Sequence, residues 1–101
     1  MSIILDKKTN VVVQGITGNE ASYWVEKMIN CGTNIVGGVT PGKGGTEIKD
    51  IPVYNSIGSL KKDHKIDLSV LFVPPKFTKG AAFEAIENEV KTIVILADGV
   101  P

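Results

Sequence analysis

The chain has no arginine, a single cysteine and a single histidine in 101 residues. Each scarcity excludes something. Without arginine there is no planar two-pronged fork for carboxylate or phosphate, so an anion must be met by lysine or by backbone N–H groups. The single cysteine, Cys31, rules out an intrachain disulfide and fits a reducing compartment. It falls late in an apolar helical pattern, where a buried structural thiol is expected. The single histidine, His64, lies among Lys61, Lys62, Asp63 and Lys65. That setting predicts a solvated side chain, neither metal ligand nor general base. No Cys/His cluster and no paired acidic site stands out, so neither a metal nor a catalytic constellation is expected. No apolar run reaches the roughly 18 residues of a membrane helix, and the opening MSIILDKKTN turns charged too early for a signal peptide. Excess charge is lacking as well: 11 lysines balance 11 acidic residues. Nothing global draws such a chain to nucleic acid or to an anionic membrane, and any anion site must be local. A soluble, intracellular protein is expected, cytoplasmic or of the mitochondrial matrix if eukaryotic.

What the chain does have is β-branched runs and glycine. Residues 9–14 read as a strand around Val11, Val12 and Val13, a continuous run suited to burial on both faces. Gly15 and Gly18 signal a tight turn, and a helix follows with Ala21, Trp24, Val25, Met28 and Ile29 on one stripe. Trp24 is therefore expected in the core, and Gly32 is a natural helix stop. Residues 34–38 form the second strand. Residues 37–45 hold five glycines and a proline, which makes a loop. Residues 51–54 read as a third strand, and Ser56 as the cap of a short helix through Leu60. Residues 68–73 form a fourth strand ended by Pro74 and Pro75. Residues 77–90 read as a helix with Phe83, Ile86 and Val90 on its packed side, and residues 92–96 as a fifth strand. Strands alternating with helices imply an α/β fold: a Rossmann-like three-layer domain with a mostly parallel five-stranded sheet in the order 3-2-1-4-5. All of residues 1–101 are expected to form one domain, itself a fragment of a longer chain.

In such sheets ligands bind beyond the carboxyl ends of the strands, where strand order reverses. Here residues 14–20, 38–45, 73–76 and 96–98 should gather at that edge. The first is a βα turn with glycines that let backbone N–H groups approach a phosphate at a helix start. Thr17 and Asn19 could add hydrogen bonds, and Glu20 could accept one or simply favour the helix N-terminus. A plain βα turn would look the same. The second segment sets Lys43 among glycines, able to reach a phosphate as a point charge, or to be solvated on a mobile loop. It is not a Walker loop, because Gly44 follows the lysine where Ser or Thr is needed. Nor does the second strand end in the acid that binds the ribose of NAD.

Taken together, Gln14-Gly15-Ile16-Thr17-Gly18, Gly37-Gly38-Val39-Thr40-Pro41-Gly42-Lys43-Gly44-Gly45, Ile51-Pro52-Val53-Tyr54, Val73-Pro74-Pro75 and Asp98-Gly99-Val100-Pro101 resemble the alpha subunits of succinyl-CoA synthetases, in order along the whole chain. The resemblance implies a CoA-binding domain of a ligase that joins succinate to CoA with ATP or GTP. It implies CoA contacts at Thr17, Gly18, Asn19, Glu20, Lys43, Leu96, Ala97 and Asp98. Val39, Pro41, Val73 and Pro74 are expected as apolar walls. The family often has Gly in place of Ala21 and Thr-Glu-Gly in place of Ala97-Asp98-Gly99. Its phosphorylated histidine belongs to a second alpha-subunit domain, and its nucleotide site to a beta subunit. This segment by itself is thus expected to anchor CoA and not to turn over. Three rivals remain: an NAD(H)-binding or redox-sensing module, a CoA-responsive regulator without catalysis, and an inert scaffold.

Overall fold

Val11, Val12 and Val13 are each completely buried. Consecutive strand residues point to opposite faces, so such a strand needs cover on both. In the computed structural model, which describes residues 8–72 and 75–95, this strand lies inside a six-stranded sheet. The elements run β1 (Val11–Gln14), α1 (Asn19–Asn30), β2 (Ile35–Val39), β3 (Glu47–Ile48), β4 (Ile51–Tyr54), α2 (Ile57–Lys61), β5 (Leu68–Leu71), α3 (Pro75–Glu87) and β6 (Thr92–Ile95). The sheet order is β3-β4-β2-β1-β5-β6, and every neighbouring pair is parallel except β3 with β4. The five expected strands stand in the expected order, with order reversing between β1 and β5.

β3 is the addition. It pairs with β4 through a two-residue turn at Lys49 and Asp50, whose φ values are 50° and 68°. Left-handed dihedrals at both central residues match the twist of a tight hairpin. A two-residue strand has no periodicity, so the sequence reads there only as loop.

Helices cover both faces. α1 packs Val25 with Val13, Ile16, Ile51 and Val53 on one side. α2 and α3 pack Ile57, Leu60 and Ala85 with Val12, Val39 and Val90 on the other. Ser56 caps α2 as expected, its side chain accepting the Ser59 N–H. α1 ends where expected: Gly32 has φ 86°, its N–H donates to the Ile29 carbonyl, and Thr33 N–H donates to the Met28 carbonyl. These two bonds form a Schellman turn.

Three expectations about burial are corrected. Cys31 is exposed, because it caps α1 where the chain already turns away from the core. Trp24 and Ile29 are 38% and 41% exposed. The buried stripe of α1 is narrower than the apolar one, running through Ala21 and Val25 to half-buried Met28. Trp24 meets Tyr23 edge-on instead, with Lys27 over the Tyr23 ring. On α3, Val90 is buried beyond the helix end, but Phe83 and Ile86 are exposed. The helix seats buried Ala85 on the sheet, and small residues allow that close approach.

Candidate functional site

Gln14 ends β1 at the edge where strand order reverses, and it is buried with Ser69 of β5. A buried polar side chain needs partners. Ser69 Oγ donates to Gln14 Oε1 at 2.7 Å, and Gln14 Nε2 donates to the Ala81 carbonyl of α3 at 3.3 Å. These bonds tie β1, β5 and α3 together at the floor of a cleft of about 510 Å³. Gln14, Gly15, Val39, Thr40, Ala81 and Glu84 line it. The volume suits a small-molecule ligand. Glu84 does not present a bare charge there, because its carboxylate accepts the Ile57 N–H at 3.1 Å where α2 begins.

The β1–α1 turn and the β2–β3 loop meet above this cleft. Gly15, with φ 81°, turns the chain out of β1, and its N–H donates to the Val39 carbonyl at 2.7 Å. Thr17 Oγ1 donates to Thr40 Oγ1 at 3.2 Å. Gly18 precedes α1 with no side chain capping it, and Asn19 and Glu20 begin the helix. The first-turn N–H groups and the helix dipole therefore open at this edge. Val39 is buried at the end of β2, Pro41 lines the cleft, and Lys43 is exposed at the loop tip. Thr17 and Gly18 of the β1–α1 turn, Asn19 and Glu20 at the start of α1, Val39 at the end of β2, and Pro41 and Lys43 of the loop after it thus come to one sheet edge. Val73, Pro74, Leu96, Ala97 and Asp98 lie outside the described residues. β2 extends one residue beyond the expected end, to Val39, and Thr40 follows. No acid stands at that ribose-binding position. Among the described residues no cluster of three or more His, Cys, Asp or Glu is placed to hold a metal ion. His64 is exposed, as its lysine-rich setting predicts.

The sequence reading set Gln14 and Thr40 in the segments expected at this edge without giving either a role, and it missed Glu84 as a lining residue. It also missed Asn55, whose Oδ1 accepts N–H groups from Gly42 and Gly44. Only the run of glycines hinted that something must press against that loop. At the end of β4, Tyr54 OH donates to Asp63 Oδ2 at 2.9 Å. The Asp63 carboxylate, with burial as a lesser cause, raises the Tyr54 pKa above its ordinary value. A raised folded-state pKa means that this stabilisation is complete below about pH 10 and is lost as pH rises through the folded value. In a Tyr23→Phe background, which leaves Tyr54 the sole tyrosine, the phenolate absorbance should therefore appear later than for free tyrosine. Asp63→Asn should move that titration down; no movement would mean that the hydrogen bond does not set it.

Comparison with known proteins decides the family. The family model described as CoA binding domain matches residues 6–99. The chain belongs to the CoA-binding domain family. It is 55% identical over all 101 residues to the ADP-forming sulfoacetate-CoA ligase subunit SqwL of Acholeplasma sp, covering 34% of that protein. It is 48% identical over the same length to the succinate–CoA ligase [ADP-forming] subunit alpha 2 of Archaeoglobus fulgidus, covering 35% of it. The chain thus spans about a third of the length of the curated relatives it matches. The resemblance to succinyl-CoA synthetase alpha subunits read from the motifs agrees with these relatives. Among solved structures, a Rex-family repressor superposes with a TM-score of 0.75 at 22% identity, over 92% of this chain and 48% of that one. At that identity the likeness shows the Rossmann-like fold alone. Among the described residues, no helix of the CoA-binding domain is long and apolar enough to cross a membrane.

Proposed function

We propose that this domain anchors CoA for an ADP-forming acid–thiol ligase, in which a carboxylate, CoA and ATP become acyl-CoA, ADP and phosphate. The observation that carries the reading is the meeting of two glycine loops over a cleft at the strand-order reversal, joined by the Thr17–Thr40 hydrogen bond. Thr17, Gly18, Asn19 and Glu20 would meet the ligand at the opening of α1. Lys43 would offer its charge to the phosphorylated nucleotide end. Leu96, Ala97 and Asp98 would complete the site, with Val39, Pro41, Val73 and Pro74 as apolar walls. No catalytic residue is assigned within the chain. The chemistry would belong to further parts of the ligase, including a second alpha-subunit domain and a beta subunit. The relatives' names span succinate and sulfoacetate, and the domain that holds CoA need not touch the acid that separates them. GTP in place of ATP and a tricarboxylic acid cycle role belong to the succinate form of this reading.

The test is a calorimetric titration of the 101-residue chain with CoA, with NADH as control. Saturable CoA binding without NADH binding is the expected result. Lys43→Ala should weaken CoA roughly ten- to a hundredfold, the range for losing one hydrogen bond to a charged group. NADH binding in place of CoA would overturn the reading in favour of a dinucleotide module, and a folded chain that binds neither would leave it without a ligand.

A further inference from the structure

The loop lysine is held in place by a residue outside the loop. Gly42 N–H and Gly44 N–H, on either side of Lys43, both donate to Asn55 Oδ1 at 2.9 Å. Asn55 follows β4 directly. Lys43 is fastened by its own backbone as well. Its N–H donates to the Thr40 carbonyl at 3.0 Å, and its carbonyl accepts from Thr46 Oγ1 at 2.7 Å. Gly44 lies so close to the carboxamide that a Cβ there would stand 2.6 Å from Asn55 Nδ2. Gly42 and Gly45 have φ of 86° and 90°, a backbone that side chains resist.

Two consequences follow from this geometry. The Gly42, Lys43 and Gly44 N–H groups are already engaged, so they do not form an open nest for a phosphate. The loop must then meet an anion through the Lys43 ammonium, which forms no ion pair among the described residues. A glycine-rich segment without a latch would sample many conformations and would have to be ordered on binding.

We infer that Asn55 is a positioning residue, whose carboxamide sets the β2–β3 loop in advance so that Lys43 is delivered to the anionic end of CoA. The inference rests on the CoA reading above, and its test has one arm that does not use CoA. In the 101-residue chain, Asn55→Ala should speed hydrogen exchange at the Gly42 and Gly44 amides about tenfold, the scale of one lost hydrogen bond. Asn55→Asp keeps an acceptor and should restore slow exchange. In the second arm, Asn55→Ala should weaken CoA binding about tenfold, but add nothing in a Lys43→Ala background, since the two act as one unit. Unchanged exchange in Asn55→Ala overturns the latch. Equal losses of affinity with and without Lys43 overturn the positioning role. If the parent chain binds no CoA, the delivery to CoA falls with the earlier reading, while the exchange arm still decides whether Asn55 orders the loop.

Discussion

Replacing Gly38 with valine should lower the melting temperature by more than about 10 °C, or abolish the cooperative transition. Strand propensity alone points the other way, because valine suits a strand and glycine weakens one. The packing decides. A Cβ on Gly38 would run into the Ile16 side chain, standing 2.6 Å from Cδ1 and 2.7 Å from Cβ, with Cγ2 closer still. Ile16 is fully buried, and it packs in the cluster that joins α1 to the sheet. Gly38 cannot retreat either, since it is paired with Val13 on one side and Val53 on the other. Overpacking of this kind costs about 1–3 kcal/mol for a smaller insertion, and valine adds three carbons. Gly37→Ala is the control. Its nearest neighbour, at 2.5 Å, is the Leu60 Cδ1 methyl at a side-chain end, which can shift more readily. Thermal unfolding of the two variants separates the cases. A Gly38→Val chain as stable as the parent would mean that Ile16 does not rest on β2. Ile16 also belongs to the turn that carries Thr17, so the same contact fixes the height of that turn above the cleft.

Gln14→Ala should cost about 3 kcal/mol in urea unfolding. Two effects add. The side chain leaves a cavity beside β5 and α3, and the completely buried Ser69 hydroxyl loses its acceptor. A buried group left without its partner costs more than a hydrogen bond contributes, so removing both partners should be milder. Gln14→Leu combined with Ser69→Ala is therefore expected to be more stable than Gln14→Ala alone. Equal losses in the two would show that neither the cavity nor the stranded hydroxyl sets the cost, since the double variant relieves both. Because Gln14 joins β1 to α3 at the cleft floor, Gln14→Ala should also loosen the wall that α3 provides.

Much of the fold was legible. The Val11-Val12-Val13 run reads as a strand covered on both faces, and alternation with helices orders five of the six strands. The two glycine loops are visible as loops, and they do arrive at one edge. What was not legible follows a pattern. Trp24, Cys31, Phe83 and Ile86 sit on apolar patterns yet are exposed, because periodicity tells which side of a helix is apolar, not how wide a stripe the sheet covers. α3 shows this most clearly: buried Ala85 seats the helix, while the larger Phe83 and Ile86 point outward. β3 depends on pairing with β4, and two residues carry no pattern of their own.

Local composition determined the element order, the parallel sheet, the glycine turns and the lack of a ribose-binding acid after β2. It could do so because helix and strand periods, and the backbone freedom of glycine, are properties of neighbouring residues. Only the tertiary structure decided that Gly38 must remain bare beneath Ile16, that Gln14 and Ser69 satisfy each other, and that Asn55 holds the loop around Lys43. Each of those depends on residues far apart in the chain meeting at hydrogen-bond or van der Waals distance. Such contacts exist only once the sheet has brought β1, β2, β4 and β5 side by side.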